Sequence, residues 1–449
     1  MEKKLFFSTF DKNISNVTDI LIRSTHLHSA NGTDVELLFK SQTITNRFVG
    51  AGSLSVLIMV IYGLFLAIFR PNKVAFVKYR SFIIGRYSVA TAYRSFNAYK
   101  RRRHFILRYV KSLFKCAQII NTIESYQDNI SAAFIDHGCY ENGVYVDVFS
   151  SLKIPIYLND YPFGLFRWEP KFGSSYDAAL QVPKYPVTIE DLALGKKALM
   201  ERTADSEKIP YMSVSFERYK SEKQFDYVIY THSFTDAQCL YGYDGAFNNV
   251  LEWLEFTIEA LGTANICVKV HPGIYTEGAS AQVFEWDKAL TIEFSAKYAS
   301  YKNVHIIDYA ITNSELLNQL RGDTVLVSHH SNALLEGGAL GFKCICAGAS
   351  NWTNFDLFNS WACEAAYRTL LQLPWSELRL TDPQELYHYY FIANYGQASF
   401  FKSHWLNQIA DITGFEYKDL FVDASALETL SVEATDQCVA HIVKSIKTV

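Results

Sequence analysis

The chain has 449 residues, 49% of them hydrophobic and 20% charged, which is long for one domain, comfortable for two, and excludes a disordered protein. A net charge of −4 argues against a general nucleic-acid binder. The eight cysteines form no CxxC pair and several sit in apolar runs, so buried thiols in a reducing compartment are expected rather than disulfides or metal ligands.

Residues 1–47 are polar and carry no strong pattern. Between Glu36 and Glu124 there is no Asp or Glu, while Lys and Arg are frequent and include the run 100–103. Residues 48–69 within that gap carry no charge. They form an apolar helix that spans a bilayer, lies in one, or is a buried core helix. Basic residues after it, Arg70, Lys73, Lys78 and Arg80 among them, place the downstream chain in the cytoplasm if the helix meets a membrane. The run begins too far from Met1 for a cleaved signal peptide.

From residue 73 the pattern alternates between strand and helix. The expected elements are a strand over 74–77, a helix over 105–126, a strand over 132–136 and a helix over 144–152. A strand over 154–158 follows, with irregular chain around Pro155, Pro162 and Pro170, then a helix over 189–202. Residues 203–224 are mixed and polar, which fits a domain junction. The second half repeats the alternation. Strands are expected over 227–230, 266–270, 304–307, 325–327 and 344–347. Helices are expected over 247–261, 284–298 and 314–320, and again after residue 331. This order predicts parallel sheets with right-handed crossovers. Four regions follow: 1–72 with the apolar helix, an α/β domain over 73–224, a second over 225–400, and a helical segment over 401–449. Two such domains in tandem predict a ligand cleft between them.

The segment 324–347 carries the most chemistry. A buried strand leads into Ser328-His329-His330-Ser331-Asn332, then a helix, then Gly341 where a helix should stop. Backbone N–H groups at such a helix start attract a phosphate. Ser331 is the best placed ligand and His330 a second donor. Glu336, one turn into the helix, suits a ribose hydroxyl, or is a buried acid that needs a partner. His271-Pro272 follows a strand directly, and the proline fixes the turn. An imidazole held at that edge can donate to a leaving phosphate, or is simply a turn histidine. Asp136-His137-Gly138 ends a strand in the first half. Either side chain suits a general base, or the pair is a turn. His232 and Asp236 end the first strand of the second half and rank lower, with Asp244-Gly245. No Walker loop, GxGxxG, HExxH or Asp-x-Asp after a strand is present, so no metal and no resident cofactor is expected.

His-Pro after a strand, followed by Ser-x-x-Ser-Asn-x-x-x-Glu and Ala-Leu-Gly before a strand, resembles the bacterial capsule and surface-polysaccharide glycosyltransferases of the two-domain GT-B fold. The group that includes Kdo transferases is the most similar. Bacterial sialyltransferases likewise pair a His-Pro motif with a serine motif. The resemblance implies an α/β GT-B fold and metal-free transfer from a nucleotide-activated sugar, CMP-linked in those families. It assigns His271, Ser328 and Ser331 to the donor phosphate and Glu336 to the nucleoside, with Pro272, His330, Asn332 and His232 beside them. Tyr243-Asp244-Gly245 stands where sialyltransferases carry an acidic pair before glycine, so the base falls to Asp136 or His137. The implied partners are a nucleotide-sugar donor, a glycan or lipid-linked acceptor and the membrane surface, with no nucleic acid. The implied place is the cytoplasmic face of the bacterial inner membrane. Two rival readings remain: a non-hydrolysing UDP-sugar 2-epimerase of the same fold, and a non-catalytic membrane-bound assembly factor.

Overall fold

The computed structural model describes residues 4–8, 36–39, 53–136, 138–160, 164–168, 184–204, 214–236, 246–276, 284–329, 331–347 and 352–393. Their thirteen strands are β1 (Lys4–Ser8), β2 (Glu36–Phe39), β3 (Lys78–Tyr79), β4 (Phe82–Ile83), β5 (Ile130–Asp136), β6 (Ile156–Asp160), β7 (Gly164–Trp168), β8 (Tyr227–Tyr230), β9 (Ile266–Lys269), β10 (Val304–Ile307), β11 (Val325–Ser328), β12 (Lys343–Ala347) and β13 (Asn359–Trp361). The helices are α1 (Ser53–Phe69), α2 (Gly85–Tyr93), α3 (Phe96–Lys100), α4 (Arg102–Tyr126), α5 (Asn142–Ser151), α6 (Ile189–Ala204), α7 (Val250–Leu261), α8 (Glu285–Tyr298), α9 (Asn313–Leu317), α10 (Ala333–Ala339), α11 (Glu364–Gln372) and α12 (Pro383–Phe391).

The strands form two larger sheets and one short hairpin. The first sheet runs β2-β1-β5-β6-β7. Its pairs are parallel except β6 with β7, which is antiparallel. The second runs β10-β9-β8-β11-β12-β13 and is parallel at every pair. From β8 the chain moves outward to β9 and β10, then returns to β11 on the other side and continues to β12 and β13. The order therefore reverses between β8 and β11. A crevice forms outside the carboxyl ends of strands at such a reversal, because the flanking helices diverge there.

The second sheet is buried on both faces, as a fully parallel sheet should be. Ile229, Val268, Val327 and Ile345 point to one layer, where Trp253 of α7, with Trp361 and Tyr367, fills the core. Val228, Tyr230, Cys267, Leu326, Cys344 and Cys346 point to the other layer. That layer continues through α10 and α12 into the core of the first sheet and its helices. Cys116, Cys139, Cys267, Cys344 and Cys346 are buried free thiols, and Cys363 is an exposed one.

Several expectations meet the structure closely. The strands over 227–230 and 304–307 carry those bounds, and Gly341 follows α10 at φ +86, a conformation that favours glycine. The strand expected over 74–77 is instead a tight helical turn, Pro71–Phe76. Proline at its first position presets the helical φ. Gly85 also packs so closely on this turn that an added Cβ would meet the Val74 carbonyl. In the patternless stretch before residue 47 the structure places β1 and β2, and β1 pairs with β5. Residues 161–163, read as irregular, lie outside the described residues, and the chain after them turns back as β7.

Among the described residues no helix is long and apolar enough to cross a membrane. The expected apolar helix appears as α1, seventeen residues long. At about 1.5 Å per residue it spans roughly 25 Å, short of a hydrocarbon core of about 30 Å.

Candidate functional site

The carboxyl ends of β9, β8 and β11 are neighbours in the sheet, so the loops after them share one rim. His271 leaves β9, the loop 231–236 leaves β8, and Ser331 follows β11. Thr231 ties the first two together, because its hydroxyl accepts from the His271 backbone N–H at 3.0 Å. Pro272 opens the tight turn Pro272–Tyr275, and its ring holds the chain that presents the histidine.

His271 Nδ1 accepts from the Gly273 N–H at 3.2 Å. In the neutral ring the proton therefore sits on Nε2, which becomes the outward donor. Burial, then the neighbouring His232 and Lys269, pull the His271 pKa down to about 3, against a smaller upward pull from Asp236. His232 lies with its ring 5.5 Å from that of His271, and burial lowers its pKa too. The pair is thus two neutral imidazoles at the rim. An anion arriving beside them would raise both values, since it favours the charged form.

The loop after β8 is held from below by Asp287 in the first turn of α8. Its carboxylate accepts from the Ser233 hydroxyl at 3.0 Å, the Thr235 N–H at 3.1 Å and the Thr235 hydroxyl at 2.5 Å, and also from the Phe234 N–H. Burial pushes its pKa up, opposed by these hydrogen bonds. The group fixes the loop that carries His232 and Asp236.

Asp236 closes the contact with the first sheet. Tyr140, four residues after the end of β5, donates its hydroxyl to Asp236 Oδ1 at 2.5 Å. The Arg94 guanidinium lies 4.8 Å from the Tyr140 ring centroid. Burial and Asp236 raise the Tyr140 pKa well above the ordinary phenol value, so its hydroxyl stays protonated and donates. Tyr140 has φ 52, a left-handed backbone that costs a non-glycine residue about 1 kcal/mol or more. Nearby, the Tyr99 hydroxyl donates to the Phe234 carbonyl. The rings of Phe96 and Trp286 stack at 6.0 Å.

The serine loop is arranged differently from the expectation. Ser328 is buried and donates to the Tyr230 carbonyl at 2.9 Å, stitching β11 to β8. Ser331 Oγ accepts from the Ala333 N–H at 3.2 Å, while Asn332 precedes α10 without a side-chain cap and is exposed. His329 is buried, edge-on to Trp253 at 5.8 Å and to Trp361 at 5.7 Å. Glu336 is buried and paired on both oxygens. It accepts from Arg202 Nε of α6 at 3.2 Å and from Asn313 Nδ2 at 2.6 Å. Lys269 is buried, and its pKa is lowered to about 8 by burial, against an upward pull from Glu336.

The structure therefore brings His271, Pro272, His232, Ser328 and Ser331 to one sheet rim. Glu336 sits a turn further down, joined to Arg202. Asp136 is the last residue of β5, with its backbone paired to Asn159 of β6. His137, His330 and Asp244-Gly245 lie outside the described residues. Among those described, no three His, Cys, Asp or Glu side chains are grouped to hold a metal ion. Tyr140, Asp287 and Arg202 escaped sequence reading as site residues. Only Asp287, an acid in a helix's first turn after an apolar gap, left a trace that could have been followed.

The fold and rim define an α/β protein with two largely parallel sheets and a polar site at a strand-order reversal. Compared with known proteins, the sequence matches no family model and no curated sequence. Solved structures are similar at a distance. The Thermosulfurimonas dismutans KpsC β-Kdo 2,4 transferase shares 16% identity over 58% of this chain and 79% of its own, with a TM-score of 0.37. The Methanocaldococcus jannaschii UDP-GlcNAc 2-epimerase shares 11% over 88% of this chain and 100% of its own, at 0.24. Anabaena Alr3699/HepE, solved with UDP-glucose, shares 8% over 99% and 100%, at 0.28. Likenesses this remote carry no argument about chemistry.

Proposed function

We propose that the chain is a metal-independent glycosyltransferase that takes a sugar from a nucleotide donor. The observation that carries this reading is the bond between Tyr140 and Asp236. It sets the carboxyl end of β5 beside the rim that holds His271, His232 and Ser331. A donor bound on one sheet edge and an acceptor bound on the other would then meet.

In this reading the donor occupies a domain over 225–400 and the acceptor one over 73–224, as two Rossmann-like halves. The donor phosphate lies against His271 Nε2–H and the hydroxyl of Ser331. His271 begins neutral and donates a hydrogen bond as charge grows on the departing phosphate. That charge strengthens the Nε2–H hydrogen bond, with no net proton transfer required of the ring. Glu336, anchored by Arg202 and Asn313, offers its remaining acceptor capacity to the nucleoside. The proposed base is Asp136 or its neighbour His137, removing a proton from the acceptor hydroxyl. The motif resemblance favours a CMP-linked acid sugar such as Kdo and a surface-polysaccharide or lipid-linked acceptor.

The test is release of CMP from a CMP-linked acid sugar, with and without a lipid-linked glycan acceptor. Acceptor-dependent release is expected. Interconversion of UDP-GlcNAc incubated alone would replace this reading with an epimerase.

A further inference from the structure

Helix α1 is apolar all round, yet only one side of it is covered. Val56, Met59, Leu66 and Ala67 are buried in the core. Gly63 lies so close to Leu113 and Tyr109 of α4 that an added Cβ would collide with Leu113. The outer side carries Leu54, Ile58, Ile61, Phe65 and Phe69 at helical spacing, each between 49% and 68% exposed. A surface helix of a soluble protein is polar there. The neighbouring α4 also exposes Leu107 and Phe114, and the turn after α1 exposes Phe76. Contiguous exposed apolar surface of this kind marks an interaction site.

The charges around the stripe choose the partner. No acid occurs between Glu36 and Glu124, so α1 and the first five turns of α4 carry none. Exposed Arg103 and Lys111 interleave with Leu107 and Phe114 on α4. Exposed Lys73 lies 5.8 Å from the Phe76 ring centroid. The carboxyl end of α1 is also tied down. Arg102 Nη2 donates to the Ala67 carbonyl at 3.1 Å and to the Ile68 carbonyl at 2.5 Å. Among the described residues this apolar face is edged by cations, with Glu141 paired to Lys115 beside Phe114, which fits a surface that is apolar within and anionic at its rim.

We propose that α1 and the outer stripe of α4 dock on an anionic lipid bilayer, with α1 lying flat in one leaflet. The helix does not leave the protein to span the membrane, because its inner face, Gly63 above all, is packed on α4. The inference stands independently of the donor chemistry.

The experiment is flotation of the full chain with vesicles of phosphatidylglycerol and phosphatidylcholine, and with phosphatidylcholine alone. The wild-type chain is expected to float with the anionic vesicles. Ile61→Asp/Phe65→Asp, both on the exposed side, should lower binding by about tenfold or more while leaving the thermal midpoint in place. Lys73→Glu/Lys111→Glu should weaken binding to the anionic vesicles only. For orientation, single cysteines replace Ser53 and Arg70 in a chain whose Cys239, Cys363 and Cys438 are serine. Both should react with a membrane-impermeant maleimide added outside the vesicles. Failure of the wild-type chain to float would overturn the proposal. So would unchanged binding by both double variants, a dimer that buries Phe65 in place of lipid, or protection of just one of the two helix ends.

Discussion

The six-stranded sheet is parallel throughout, buried on both faces, and ends in a rim of His271, His232 and Ser331. The five-stranded sheet is closed by an antiparallel hairpin, and among the described side chains it sends Tyr140 to the same rim. The difference lies in what holds each end. The loop after β8 is fixed by four hydrogen bonds to one buried carboxylate, Asp287. Tyr140 reaches across through its hydroxyl bond to Asp236, with Arg94 against its ring and a left-handed backbone. The proposed transfer would use the loop after β8 on the donor side and the Tyr140 contact on the acceptor side.

That contrast can be broken at several points. His271→Ala should lower sugar transfer by about a hundredfold to a thousandfold, the usual cost of removing one donor to developing negative charge. A steady-state assay, with the thermal midpoint as a control, reads it. Asp287→Ala leaves two N–H groups and two hydroxyls without their partner. A loss of about 3 kcal/mol is expected in urea unfolding, with Asp287→Asn losing less. Tyr140→Phe removes the single bond to Asp236 and should cost about 1–2 kcal/mol. If Tyr140→Phe proved as costly as Asp287→Ala, the two edges would be held equally firmly and the contrast would fail.

The last test is one of pH. His271 is held at about 3, against an ordinary 6.5, so the folded protein refuses a proton that the unfolded chain accepts. The associated stability is present above pH 6.5 and is lost as pH falls towards 3. His271→Gln should flatten the decline in urea midpoint across that window, and an unchanged slope would place the acid sensitivity elsewhere.

The second half of the molecule was legible because its strands are short, mostly apolar and bounded by turn residues. Tyr227–Tyr230 and Val304–Ile307 could be read by composition and length alone. The first half was less so. β1 owes its place to pairing with β5, more than a hundred residues away, and no local pattern encodes that partner. Pro71 turned an apolar run into a helical turn. At the site, His271-Pro272 was visible because proline after a strand is unusual. The partners of Glu336 and Asp236 were not, since Arg202 and Tyr140 arrive from distant helices and loops. The exposed side of α1 also escaped notice, because a helix that is apolar all round gives no hint of which face the protein covers.

The central claim is that the rim around His271 binds a nucleotide phosphate. Thermal unfolding with CMP, UDP, GDP and ADP tests it most directly, in the wild-type chain and in His271→Ala. A ligand at a hundred times its Kd adds about 2.7 kcal/mol to the native state. The account predicts a rise in the midpoint with CMP that His271→Ala abolishes. No rise with any nucleotide, or a rise of equal size in both proteins, would contradict it.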